Sequence, residues 1–148
     1  MGSMPERRIE YQTLEHKADT GFQVTAPSLE RLYIDAGLAL TDLMVKLEQI
    51  QTVEKRSVAV KADNRDQLMV KWLSEILFLF EREKLLVRRI VFNKFDGKSI
   101  EATVFGERYE PIRHGHVSEI KAVTYHQLEV GDRPLPEPHF FARVFLDL

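Results

Sequence analysis

The chain has 148 residues, 44% of them hydrophobic and 30% charged, with no cysteine and a formal net charge of −2. That length and apolar content suit one ordinary domain with a real core and exclude wholesale disorder. The lack of cysteine excludes a disulfide framework, thiolate metal sites and cysteine catalysis, and it fits a reducing cytoplasm.

Met1-Gly2-Ser3 ahead of Met4 reads as a cloning remnant, and the domain is taken as residues 9–148. Tyr11 to Leu14 is expected as a short strand, Glu15 to Thr20 as a polar loop, and Gly21 to Ala26 as a half-buried strand. Pro27-Ser28 starts a helix: Ser28 can accept from a free N–H of the first turn, and Glu30 suits the positive end of the dipole. Leu29, Leu32, Tyr33, Ala36, Leu40, Leu43 and Met44 recur at helical spacing, so one stripe packs inward until about Lys46. Thr52 to Ala62 alternates as a strand, Asp63-Asn64 turns, and Asn64 or Asp66 caps a second helix. That helix runs to about Glu83 with a broad apolar face from Leu68 to Phe80. Leu85 to Phe95 and Ser99 to Gly106 flank Asp96-Gly97, a hairpin signal. Arg108 to Val117, with Pro111 and Gly115, reads as loop. Ser118 to Val130 is expected as one strand, with Ile120, Ala122 and Thr124 on one face and Glu119, Lys121, Val123 and Tyr125 on the other. Gly131 to Pro138 holds three prolines and breaks regular structure. His139 to Leu146 is the last strand. Helices confined to the first half and strands after them predict an α+β single domain, with two helices packed on one face of a mixed β-sheet.

Larger signals are absent. No stretch approaches the roughly 20 apolar residues of a membrane span, and no apolar leader opens the chain. Without a basic excess, the chain lacks the usual footprint of a protein held to nucleic acid by phosphate neutralisation. Arg82, Lys84, Arg88 and Arg89 form a small basic cluster that a solvated helix end explains. Dinucleotide, Walker, His-Glu-x-x-His and Gly-x-Ser-x-Gly motifs are missing.

Two groups of residues carry possible chemistry. Asp19 opens the first clear strand, and Asp147 with Leu148 ends the last one. Should those strand ends meet, oxygen donors of high negative charge converge, and a hard divalent cation such as calcium, magnesium or manganese would relieve their repulsion. Read singly, Asp19 is a turn residue and Asp147 a solvated strand end. His16, three residues before Asp19, is a metal ligand, a proton donor or a loop residue bonding backbone. His114 and His116 are a weak zinc pair on a strand or, with Pro111 and Gly115, members of a surface loop.

Taken together, Leu-Glu-His16-Lys-Ala-Asp19-Thr-Gly21, Val70-Lys-Trp72-Leu-Ser-Glu75-Ile-Leu-Phe-Leu-Phe80, Arg113-His114, Glu119-Ile-Lys121-Ala-Val-Thr-Tyr-His126 and Arg143-Val-Phe-Leu-Asp147-Leu148 resemble the archease family. The resemblance runs from about residue 9 to the C-terminus, and the Lys-Ala-Val-Thr-Tyr-His run and the terminal Asp are its most specific parts. It implies a non-catalytic accessory protein that activates the GTP- and manganese-dependent RtcB-type RNA ligase in tRNA splicing and RNA repair. The activation would promote ligase guanylylation and multiple turnover. It further implies an acidic, metal-binding tip with Asp19, Asp147 and an oxygen of Leu148 as ligands to an oxygen-ligated divalent ion. His16, Glu75, Lys121 and His126 match supporting or partner-contact positions. RNA would be met through the ligase, in the cytoplasm, without a membrane. Lys17 stands where a small hydroxyl residue is common, and Glu110-Pro111 where Asp-Pro is usual. The competing readings are a metal-dependent phosphoesterase using the same carboxylates and a general chaperone or adaptor.

Overall fold

The computed structural model describes residues 9–16 and 19–148, with backbone alone for residues 15, 16 and 19. The strands are β1 (Tyr11–His16), β2 (Asp19–Ala26), β3 (Glu54–Lys61), β4 (Leu85–Phe95), β5 (Ser99–Arg108), β6 (Ala122–Val123), β7 (Glu129–Arg133) and β8 (His139–Asp147). The helices are α1 (Leu29–Met44), α2 (Arg65–Glu83) and the short α3 (Pro111–His114). This is the α+β class that the pattern predicted. Where one mixed sheet was expected, the strands divide between two sheets, and every described pairing is antiparallel. The first sheet has the order β1-β2-β8-β6, with β7 also on β8; the second has the order β3-β5-β4.

Local chemistry sets the element boundaries. Ser28 accepts the Arg31 N–H at 3.1 Å and starts α1. Asn64 accepts the Gln67 N–H at 2.9 Å and starts α2, while the Gln67 side chain accepts from Asp63 N–H at 2.7 Å. Lys84 adopts a left-handed conformation (φ 57°) and closes α2, its N–H donating to the Phe80 carbonyl. At the β4–β5 hairpin, Asp96 Oδ1 accepts from the N–H groups of Lys98 and Ser99, and Gly97 takes the positive φ of 86° that the turn requires.

Both helices bury their apolar stripes against the two sheets in one continuous core. Trp72 is fully buried, and its indole N–H donates to the Tyr33 carbonyl at 2.7 Å, tying α2 to α1. In return the Tyr33 hydroxyl donates to the Arg65 carbonyl at 2.8 Å. Val24, Ala142 and Val144 from the first sheet and Val58, Ile100 and Val104 from the second complete the interior.

Four segments differ from expectation. The loop expected over residues 15–20 is strand through His16 and again from Asp19, because β1 and β2 pair as far as His16 and Asp19. The expected loop after Arg108 contains α3, with Pro111 at its start, where a missing N–H costs nothing. The expected single strand from Ser118 to Val130 is interrupted. Its two pieces, β6 and β7, run along the same edge of β8, but the five residues between Val123 and Glu129 face only the two between Leu146 and Arg143. The extra length loops out between them, with Gln127 at φ 49°. Alternation fails accordingly, since Ile120 and Val123 are both buried. Finally, β7 extends to Arg133 despite Gly131, so the irregular segment is shorter than expected.

Candidate functional site

The first sheet ends in one row of cross-strand neighbours. His16 pairs with Asp19 in the β1–β2 hairpin. Thr20 pairs with Leu146 as the end pair of the β2–β8 register, and Asp19 and Asp147 are the next residues on the two strands. Asp147 in turn pairs with Ala122 of β6, and the Lys121 N–H donates to the Asp147 carbonyl at 2.8 Å. Residues 16, 19 and 147, up to 131 positions apart in sequence, therefore lie at the same end of the first sheet. Directly opposed residues in an antiparallel pair lie about 4.5–5.5 Å apart between Cα atoms.

Close strand approach holds that row. Gly21, two residues after Asp19, pairs with Phe145, and a Cβ built on it would lie 2.3 Å from the Val144 carbonyl oxygen. Only glycine allows β2 and β8 to meet at that distance. Along β8, Ala142, Val144 and Leu146 enter the core, while Phe141, Phe145 and Asp147 lie on the alternate face. The segment looping out between β6 and β7 covers that face. Thr124 Oγ1 donates to the Phe145 carbonyl at 3.1 Å, and the His126 ring stands edge-on to Phe145 at 5.8 Å. Arg143 Nε donates to the Gln127 carbonyl at 3.0 Å, and its Nη2 meets Glu129 at 3.2 Å. Further along, the Arg133 guanidinium lies 4.1 Å above the Phe141 ring centre.

The row and its covering segment thus gather His16, Asp19, Asp147 and His126 at one end of the first sheet, with Leu148 directly after Asp147. Of the other two expected supporting residues, Lys121 meets Asp147 through its N–H and also borders a cleft, and Glu75 lies elsewhere. The Lys121 side chain lines a cleft of about 730 Å³ on the helix side of the sheet, together with Phe80, Lys84, Tyr109 and Ile120. Glu75 is half-buried in the middle of α2, between the buried Trp72 and Leu79. Lys17 lies outside the described residues, so the charge it brings next to Asp19 has no structural placement.

As a cation site the row has the appropriate donor chemistry. Asp147 is exposed, and no described side chain hydrogen-bonds or pairs with its carboxylate. Among the described residues no three His, Asp or Glu side chains cluster to hold an ion, a statement that leaves aside the Asp19 side chain. The oxygen-only donors expected from Asp19, Asp147 and Leu148 suit calcium, magnesium or manganese and not a soft metal.

A second polar cluster was not anticipated. Glu107 is buried at the end of β5 and accepts from Arg113 Nη1 at 2.7 Å and the Gln51 N–H at 3.1 Å. His114, expected on a surface loop, is buried on α3. Its Nδ1 accepts the Glu110 N–H at 2.9 Å, so in the neutral ring the proton sits on Nε2, which meets Glu107 Oε1 at 2.6 Å. Tyr109 stacks on the His114 ring and donates its hydroxyl proton to the Gly115 carbonyl. Burial pushes the Glu107 carboxyl upward, but its bonds from Arg113, Gln51 and His114 outweigh this and hold it below the usual range. The cluster locks α3 against β5, and the chain beyond it leads directly to Lys121 and β6. In sequence the cluster left no distinct signal, since Glu107 is one of two glutamates in β5 and His114 lies in a stretch read as loop.

Comparison with known proteins follows the same lines. Residues 11–148 match the Archease protein family (MTH1598/TM1083). Protein archease of Methanosarcina mazei is 37% identical over 136 residues, covering 86% of this chain and 90% of that one. Protein archease of Methanothermobacter thermautotrophicus is 32% identical over 143 residues, covering 93% and 98%. The solution structure of Methanobacterium thermoautotrophicum protein 1598 superposes with a TM-score of 0.76 at 29% identity, over 93% of this chain and 98% of that one. A Thermotoga maritima structure, described as an archease and possible chaperone, has a TM-score of 0.58 at 17% identity and shares the fold, over 96% and 100%.

Proposed function

The chain belongs to the archease family, and on that premise we propose that it is a non-catalytic protein cofactor of an RtcB-type RNA ligase. It acts in the cytoplasm, in tRNA splicing and RNA repair. The observation that supports the reading is the end of the first sheet, where β2 and β8 pair through Thr20 and Leu146, the neighbours of Asp19 and Asp147. Asp19, Asp147 and an oxygen of Leu148 hold a divalent cation there. When bound, the ion supplies positive charge that offsets the repulsion of neighbouring carboxylates and can face a phosphate. The chain's own part is positional. Gly21 lets β2 close on β8, Thr124 and His126 brace Phe145, and the Lys121 N–H fixes the backbone of Asp147. A stiff, narrow sheet end of this kind suits entry into the active-site cleft of a larger protein, where it promotes guanylylation and turnover. RNA is then met through the ligase.

Direct association is testable by calorimetric titration of the chain into an RtcB-type ligase, with and without GTP and manganese. Binding that weakens in Asp19→Ala and Asp147→Ala supports the reading. No heat of binding under any of these conditions counts against it.

A further inference from the structure

Phe105 stands between two cations on the open face of the second sheet. The β3–β5 and β5–β4 registers set Lys55, Phe105 and Arg89 in one row across the three strands. A bulge after Val87 puts Arg89, and not Arg88, opposite Phe105. The Arg89 guanidinium lies 4.7 Å from the ring centre. The next row is Ser57, Thr103 and Val91, and the one after it is Ala59, Glu101 and Lys94. Asn93 donates to the Thr103 hydroxyl at 3.0 Å. The even-numbered residues of β5 enter the core, so this odd-numbered face is the one turned away from both helices. Its residues are exposed or half-exposed along the whole face from Lys55 to Lys61 and from Glu101 to Phe105, apart from the buried Val58, Val60, Ala102 and Val104 that point inward.

The charge on this face runs against the charge of the molecule. Lys55, Lys61, Arg89 and Lys94 share its exposed part with Glu101, which pairs with Lys94 at 3.9 Å, while Glu107, also odd-numbered on β5, is buried. The whole chain has a net charge of −2. Lys55 and Arg89, with no carboxylate partner among the described residues, therefore flank one half-exposed ring, and Lys61 lies three rows further along beyond a strip of small polar residues. A flat sheet with an aromatic ring flanked by cations is suited to stack an unpaired base and neutralise its neighbouring phosphates. It is poorly shaped for a duplex, which offers no free base faces.

We infer that this face is a platform for single-stranded RNA, with a base stacked at the Phe105–Arg89 pair and phosphates near Lys55 and Lys61. The choice of RNA as the polymer rests on the ligase reading above, while the platform itself does not. The chain then contributes a second, weaker hold on the RNA whose ends a ligase joins, far in sequence from the acidic row.

The test is fluorescence anisotropy of a labelled single-stranded oligoribonucleotide titrated with the intact chain alone, in the absence of ligase. The expected result is salt-sensitive binding, with log K falling against log salt at a slope of about −1.4 for two phosphate contacts. Phe105→Ala weakens it about tenfold or more and Phe105→Tyr retains it. Lys55→Gln and Lys61→Gln flatten the slope. Circular dichroism melts of each variant check that the fold is intact. No binding by the intact chain, equal binding by a well-folded Phe105→Ala, or equally tight binding of a matched duplex would overturn the inference. Ligase stimulation, measured separately, distinguishes the two readings. Loss of RNA binding with stimulation intact refutes this face alone, and an intact chain that never stimulates the ligase refutes the cofactor role alone.

Discussion

Glu107 and Asp147 are both carboxylates near strand ends, and their surroundings give them opposite roles. Glu107 is buried and receives three hydrogen bonds, two of them from the Arg113 and His114 side chains. Removing the charge leaves those donors poorly matched, so Glu107→Gln is expected to cost about 2 kcal/mol at neutral pH, read as a lowered midpoint in urea. The sign of its pH dependence follows from its lowered carboxyl. Its contribution is complete above the unfolded glutamate value of about 4.3 and is lost as pH falls through the still lower folded value. Glu107→Gln should therefore flatten the acid limb of the stability profile, and an acid limb as steep as that of the unmodified chain would contradict this. Asp147 has no described side-chain partner. Asp147→Asn should leave the unfolding midpoint of metal-free protein within about 0.5 kcal/mol of the original; on the proposed ion site, added calcium or manganese should raise the midpoint of the original chain and not that of the variant.

At the scale of elements, strands that occupy one continuous run were legible even where the partner is distant, as in β2, β3 and β8, whereas the interruption between β6 and β7 was not. The β4–β5 hairpin is set by Asp96-Gly97, and both helices by Ser28, Asn64 and their apolar stripes, so all of these follow from local residues. The residues from Ser118 to Val130 have enough alternation to suggest one strand, yet they are divided by the edge of β8, whose spacing no local signal reports. The acidic row was legible as a possibility from the residue types at the two ends of the chain. That β2 and β8 are neighbours is a long-range fact, and Gly21 is its one local trace. Gly21→Ala would drive a Cβ into the Val144 carbonyl. The expected loss is about 3 kcal/mol, with amide exchange quickening first in β1, β2 and the end of β8. Unchanged exchange there would mean that the close approach of β2 and β8 is not what holds the row.

On the scale of the whole molecule, two sheets and two helices share one core, with the only tryptophan of the chain fully buried in it. Trp72 fluorescence should therefore report the same single transition as far-ultraviolet circular dichroism. Trp72→Phe, which removes the bond to the Tyr33 carbonyl, should lower stability by about 1–2 kcal/mol. Separate transitions for the two signals would show that the sheets unfold independently. No helix among the described residues is long and apolar enough to cross a membrane. The rigid body thus presents an acidic sheet end and, on the other sheet, a basic face, while its core is devoted to holding both. The central claim is that the acidic end activates a ligase. Its most direct test is multiple-turnover joining of RNA ends by a matching RtcB-type ligase at substoichiometric enzyme, with GTP and manganese, alone or with this chain, Asp19→Ala or Asp147→Ala. Strong stimulation by the intact chain and none by either variant is the expected result. Stimulation that survives both substitutions, or no stimulation by the intact chain, would contradict it.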